Sequence, residues 1–341
     1  MQCSKEKENS PKENVMSGQR EVVKENKSAV YTESVERIIN MFCQIMINHD
    51  ETYKDKKPAP SLGVVRLDYD YPPAAGDISC PDSFNYNVYY KVVPGLTFEM
   101  SQSGELTDKV QYRFKESIQW LVNEKKVSAI TGDCGFMMYF QHIAREVTQA
   151  PVFMSSLCQL PFLNSAFGSS EHIIILSSNG KSLEGMNDLI KKEFGVDTHD
   201  ERYHIIGCED VDGFEAVALG GKVDTKKVEP GIVKKALDAM ILYPKTRAFL
   251  LECTELPPYA DAIRLETGLP VFDVITMCNL FIDAFRDNVR FGRQEWQHEW
   301  DGKQEDYDYG KELTEDEKQE LVNKSHPVNK FRRLIMNVIN Q

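Results

Sequence analysis

Two stretches decide the fold: AITGDCGFMMYFQHIAREVTQAPVF (129–153) and AFLLECTELPPYADAIRLETGLPVF (248–272). They superpose without a gap at an offset of 119 residues. Matching positions are Ala129 and Ala248, the acids Asp133 and Glu252, Cys134 and Cys253, Thr148 and Thr267, and a closing Pro-Val-Phe. Each copy reads as an apolar strand, a cysteine, an amphipathic helix and a second strand, so the chain carries an internal duplication.

Outward from this repeat, short apolar runs alternate with helical patterns. Strands are predicted at 62–67, 96–100, 127–131, 151–154, 172–176, 203–207, 248–252 and 270–274. Helices are clearest at 105–124 and 231–243, the latter with Pro230 at its first position. Strands alternating with helices build parallel sheets. The expected fold is α/β: two Rossmann-like lobes with parallel four-stranded sheets, related by pseudo-twofold symmetry, plus extra N- and C-terminal helices. A TIM barrel also has eight strands, but the strandless stretch 68–94 counts against it.

The expected domains are a disordered tail (1–28), an N-terminal helix and linker (29–57), lobe 1 (58–155) and lobe 2 (156–274). A return helix packing on lobe 1 (275–300) follows, then an acidic linker with C-terminal helices (301–341). Residues 1–28 hold eleven charges without apolar periodicity. Val35, Ile38, Ile39, Phe42, Ile45 and Met46 share a helical face, as do the apolar residues of FRRLIMNVI (331–339). Thr314 and Glu317 form a capping-box signature.

Composition limits the function. A hydrophobic content of 41% with 27% charged residues is that of a packed globular chain. The net charge of −13 argues against nucleic acid or an anionic membrane as partner. No apolar run approaches the roughly 20 residues of a membrane span, and MQCSKEKENS lacks a secretory core. The expected location is intracellular, soluble and cytoplasmic. The eight cysteines are never closer than 24 residues, so no C-x-x-C knuckle or zinc ribbon is present. Nor do the seven histidines show metal-ligand spacing.

Cys134 and Cys253 stand apart from the other six. Each follows a strand and precedes a helix, the crevice position where open α/β sheets bind ligands. A helix N-terminus there is expected to favour the thiolate. Paired across one cleft, two such thiols suit proton abstraction next to a carboxylate.

With these residues in view, the chain resembles the aspartate/glutamate racemase superfamily on T-G-D-C-G (131–135) and E-C-T-E-L-P (252–257). GVVRLDYDYPPAAGDISCPDSF (63–84), YYKVVPGLTFEMSQSGEL (89–106) and TGDCGFMMYFQ (131–141) look like the Alma-type dimethylsulfoniopropionate (DMSP) lyases within it. Glutamate racemases carry Cys-Asn-Thr and Gly-Cys-Thr-His where this chain has Cys134-Gly135-Phe136 and Cys253-Thr254-Glu255.

The resemblance implies a carbon–sulfur lyase that needs no cofactor and no metal. Its substrate would be a small zwitterionic carboxylate, cleaved to dimethyl sulfide and acrylate by α-proton abstraction and β-elimination. Cys253 is then the base and Cys134 its partner. Thr254 is a candidate for the carboxylate, and Glu252 or Glu255 for tuning the thiol. Asp68, Tyr69, Asp70 and Tyr71 are candidates for the sulfonium. The family's members form dimers and tetramers, so a homodimer or homotetramer is expected. The alternatives are a cofactor-independent aspartate/glutamate-type racemase and a non-catalytic small-acid binding protein.

Overall fold

Runs of Val, Ile and Leu with few polar interruptions suit strands covered on both faces, as in a parallel sheet flanked by helices. The computed structural model describes residues 58–286 and 313–324 and forms eight such strands among them. The first four are β1 Leu62–Arg66, β2 Val88–Val92, β3 Ala129–Gly132 and β4 Val152–Phe153. The second four are β5 His172–Ser177, β6 Tyr203–Gly207, β7 Thr246–Leu251 and β8 Val271–Phe272.

Each set is one parallel sheet, ordered β2-β1-β3-β4 and β6-β5-β7-β8. The second sheet repeats the first, and the cysteine-bearing strands β3 and β7 occupy the same place. In each lobe the chain steps outward to one edge and then returns across the first strand. The ends of β1 and β3, and of β5 and β7, therefore flank switch points, where α/β sheets open a crevice.

Two local expectations are corrected. LTFEM (96–100) is not a strand: a helix spans Phe98–Ser103, with the Thr97 hydroxyl accepting from the Met100 N–H at 3.3 Å and Gly104 closing it at φ 73°. A cap at each end outweighs a short apolar run. The missing strand is β2, inside the stretch read as strandless. It is an edge strand, only partly buried, so its Tyr-Tyr-Lys sequence lacks the apolar pattern of an inner strand. Likewise, the helix expected from Pro230 begins earlier and spans Thr225–Leu242. Asp224 caps it by accepting from the Lys227 N–H, leaving Pro230 within the helix.

The helix Val274–Asp283 packs on the first sheet. Val274, Met277, Cys278 and Ile282 bury against Leu62, Val64, Ala129 and Phe153, and Phe281 stacks on Phe153 at 4.3 Å. The largest core cluster runs from Val65 and Phe114 through Met137, Met138 and Leu157 to Ile173 and Leu250, so one apolar interior spans both sheets.

By contacts, the chain divides into units 1–287 and 288–341. In the second, the helix Glu315–Lys324 opens on the expected box: the Glu317 carboxylate accepts from the Thr314 N–H at 2.8 Å, and the Thr314 hydroxyl accepts from the Glu317 N–H. The N-terminal helix pattern, FRRLIMNVI, Cys3 and Cys43 lie outside the described residues. No helix among the described residues is long and apolar enough to cross a membrane.

Candidate active site

Past the end of β3, Asp133 prolongs the ladder, its N–H donating to the Val65 carbonyl at 3.1 Å. Its carboxylate turns to the end of β1. There it accepts from the Leu67 N–H at 3.1 and 3.2 Å, with Arg66 Nε 3.5 Å away. Cys134 follows in extended conformation and leads into the 3₁₀ helix Gly135–Phe140. Its sulfur accepts a hydrogen bond from the hydroxyl of Ser101, fully buried on the helix Phe98–Ser103, at 3.2 Å.

The second lobe repeats this pattern with different partners. The Glu252 N–H donates to the Leu176 carbonyl at 2.7 Å, and its carboxylate accepts from the Ser177 hydroxyl at the end of β5, also at 2.7 Å. Cys253 differs from Cys134 in its neighbour: its thiol donates to Glu255 Oε2 at 2.9 Å.

The two cysteine turns touch. The Thr254 hydroxyl donates to the Asp133 carbonyl at 2.6 Å, so the residue after one cysteine holds the residue before the other. A Cβ on Gly135 would stand 1.9 Å from Glu252 Oε1, a space only glycine leaves open. The Ser156 hydroxyl adds a bond to the Leu251 carbonyl at 2.8 Å.

Acids crowd this contact. Burial pushes the Asp133 and Glu252 carboxyls up to about 7, and that of Glu255, further opposed by Asp77 and Asp133, up to about 8. Both thiols are raised as well, first by burial and then by Glu255 and Glu252. The expectation that a helix end favours the thiolate in the resting site is therefore corrected. Desolvation and nearby carboxylates outweigh two short 3₁₀ segments.

Beside Glu255 lies a cavity of about 10 Å³, lined among others by Tyr71, Asp77, Val223, Pro258 and Tyr259. Tyr71 donates to both Asp77 oxygens, at 2.9 and 3.0 Å. Two loops meet over it, one following β1 and one following β6. They are joined by Tyr69, whose hydroxyl donates to the Val217 carbonyl.

The structure thus brings Cys134, Cys253, Glu252 and Thr254 together. Asp68 is elsewhere: its exposed carboxylate accepts from the Gly95 N–H at 2.7 Å and holds a turn. Asp70 is also exposed. Tyr69 is half-buried between Tyr71 and Phe98, with ring centres 5.5 and 6.4 Å away. Asp77, Ser101, Ser177 and Tyr259 belong to the site and were not singled out from sequence. Asp77 and Ser101 do fall inside the blocks that carry the resemblance. No group of three or more His, Cys, Asp or Glu among the described residues is arranged to hold a metal ion.

No family model matches the chain. Dimethylsulfoniopropionate lyase 7 of Emiliania huxleyi (strain CCMP1516) is 56% identical over 274 residues, 79% of this chain and 80% of that protein. A dimethylsulfoniopropionate lyase of Durusdinium sp. clade D is 51% identical over 76% of this chain and 86% of its own length. Among solved structures, arylmalonate decarboxylase aligns with a TM-score of 0.43 at 17% identity, covering 68% of this chain and 96% of that one. On the two lyase relatives, the chain belongs to the dimethylsulfoniopropionate lyase family.

Proposed function

We propose that this protein cleaves dimethylsulfoniopropionate to dimethyl sulfide and acrylate, with Cys253 as the base. The thiolate takes a proton from the carbon next to the carboxylate. The C–H electron pair becomes the carbon–carbon double bond, and the C–S bond breaks with its pair leaving on sulfur. Products are neutral dimethyl sulfide, acrylate and one proton. Sulfonium is a strong leaving group, so the residues must mainly supply a base and hold the carboxylate.

The observation that carries this reading is the hydrogen bond from Cys253 to Glu255 at 2.9 Å. A thiol beside a carboxylate of raised proton affinity can pass its proton over without creating a new net charge. Backbone N–H groups of the turns after each cysteine are the donors for the substrate carboxylate. Cys134, held by Ser101, lines the opposite strand end as the second thiol. The two thiols have unlike partners, an acid and a hydroxyl, which favours a one-sided elimination over a racemase with equivalent base and acid.

The test is dimethyl sulfide in the headspace over purified protein. Cys253→Ala is expected to abolish release and Cys134→Ala to reduce it strongly. Wild-type rates from Cys253→Ala would overturn the assignment.

A further inference from the structure

The cavity beside Glu255 is unusual in its charge. Asp77, Asp133 and Glu255 are close enough to oppose one another's ionisation, and Arg66 is the basic side chain that offsets Asp77 and Asp133. Three carboxylates against one guanidinium leave two negative charges in excess when all are ionised (3 − 1 = 2). Glu252 stands behind them as a further buried acid, with one oxygen lacking a hydrogen-bond partner. Asp77 and Glu255 are the acids that line the cavity itself; apart from Thr225, the other lining residues are aromatic or apolar, among them Tyr71, Tyr259, Val223 and Pro258.

We propose that this cavity is the cation subsite of the centre and takes a small onium group, the dimethylsulfonium of the proposed substrate, between Tyr71, Tyr259, Asp77 and Glu255. The inference rests on the lyase reading for the identity of that group. An onium ion carries its charge behind methyl groups and has no N–H to satisfy. Aromatic and apolar walls with carboxylates alongside suit it better than they suit a primary ammonium, which needs directed acceptors. A metal ion would need a denser ligand set.

Two consequences follow from the geometry. The cavity now has room for about one water, so the loops carrying Tyr71 and Val223 must part to admit a ligand. Burial also leaves Glu255, and in part Asp133, protonated near pH 7, and a permanent cation beside them favours their ionised forms. Its arrival favours every negative charge nearby, the Cys253 thiolate included, so the substrate helps to generate its own base. The charged and titratable groups involved are Asp77, Tyr71, Arg66, Asp133, Cys134, Glu252, Cys253, Glu255 and Tyr259, with Tyr69 facing Glu255, Tyr90 facing Asp77, and Asp224 and Glu229 facing Tyr259.

The test uses the full-length protein and two unreactive ligands of the same shape, 3-(trimethylammonio)propanoate and 4,4-dimethylpentanoate, which differ in charge. By titration calorimetry the onium ligand should bind at least about tenfold more tightly, the range expected of a desolvated cation–π contact. It should release protons at pH 7 where 4,4-dimethylpentanoate, whose head group carries no charge, does not, as read from heats in buffers of different ionisation enthalpy. Asp77→Asn and Tyr259→Leu should each lower that preference severalfold while retaining affinity for 4,4-dimethylpentanoate, which also reports that the pocket is folded. Equal affinity for the two ligands overturns the subsite. So does a preference unchanged in both variants, or parallel loss of both ligands in both variants. If wild-type protein releases no dimethyl sulfide yet keeps the preference through Asp77 and Tyr259, the lyase reading falls and the subsite stands. If dimethyl sulfide is released and the preference ignores both residues, the reverse holds.

Discussion

The Cys253 thiol donates its proton toward Glu255 Oε2 across 2.9 Å, and in the proposed reaction this pair supplies the base. Glu255 can accept the proton only when ionised, and burial holds its carboxyl up to about 8. The pair is ready when it carries one proton and idle when it carries two. Turnover at low substrate should therefore rise with pH and level off above about 8. Glu255→Gln removes the acceptor while keeping the shape. The expected loss is about 100-fold or more in kcat, the usual contribution of a positioned base, with the pH limb moved upward. A Glu255→Gln enzyme with the wild-type profile would contradict the role.

Tyr69 ties the loop after β1 to the loop after β6 through the Val217 carbonyl, and it packs on Gly220. With so small a cavity beneath, opening of these loops must precede substrate entry. Tyr69→Phe keeps the ring and deletes one hydrogen bond, worth about 1 kcal/mol net. The open state should then be about fivefold more populated. Alkylation of Cys253 by neutral iodoacetamide, followed by mass spectrometry, should speed up by that factor. The partly exposed Cys80 and Cys158 serve as internal references. An unchanged Cys253 rate would show that the latch does not gate the site.

The cysteine pair was legible because duplication leaves a mark in sequence: two strand ends with an acid and a thiol in register. The cavity was less so, and the reason is local geometry. Asp68 and Asp70 lie exposed while Tyr71 is buried, so the segment past β1 turns different residues to solvent and to the interior. The sulfonium that the resemblance implies singled out all four residues of the segment, but only an inward position can line a cavity. Asp77 arrives by the fold of the loop, held by its bonds to Tyr71 and Ser79, and no periodicity announces that. The acidity of the site escaped for a similar reason. Asp133, Glu252 and Glu255 adjoin the cysteines in sequence, yet Asp77 is remote and their mutual opposition depends on burial.

Gly135 leads from Cys134 into the first-lobe 3₁₀ helix, and its role is space. A methyl group there meets Glu252 Oε1 at 1.9 Å and the Glu252 carbonyl at 2.4 Å. Gly135→Ala should therefore push the lobes apart, destabilising the protein by about 1–3 kcal/mol as for overpacking elsewhere and lowering activity. Adding Glu252→Ala should recover part of the loss, because it clears the side chain and leaves the carbonyl. Thermal melts of the two single variants and the double variant measure this. Strict additivity would mean that the contact is not the cause.

Four carboxyls of raised proton affinity make stability depend on pH in the less common direction. Asp77 is raised to about 6, Asp133 and Glu252 to about 7, and Glu255 to about 8, each chiefly by burial. In the unfolded chain these groups titrate near 4. Between about pH 4 and 8 the folded state therefore holds more protons than the unfolded state, and stability falls as pH rises through that window. Their contribution is fully present below the unfolded values and is lost above the folded ones. Denaturant midpoints should be higher at pH 5.5 than at pH 8.5. Glu252→Gln, which cannot ionise and keeps an acceptor for Ser177, should flatten the dependence and raise the midpoint at pH 8.5 relative to wild type. A midpoint that climbs from pH 5.5 to 8.5 would show that these acids are ionised in the folded protein, and with them the excess negative charge would already be satisfied without a ligand.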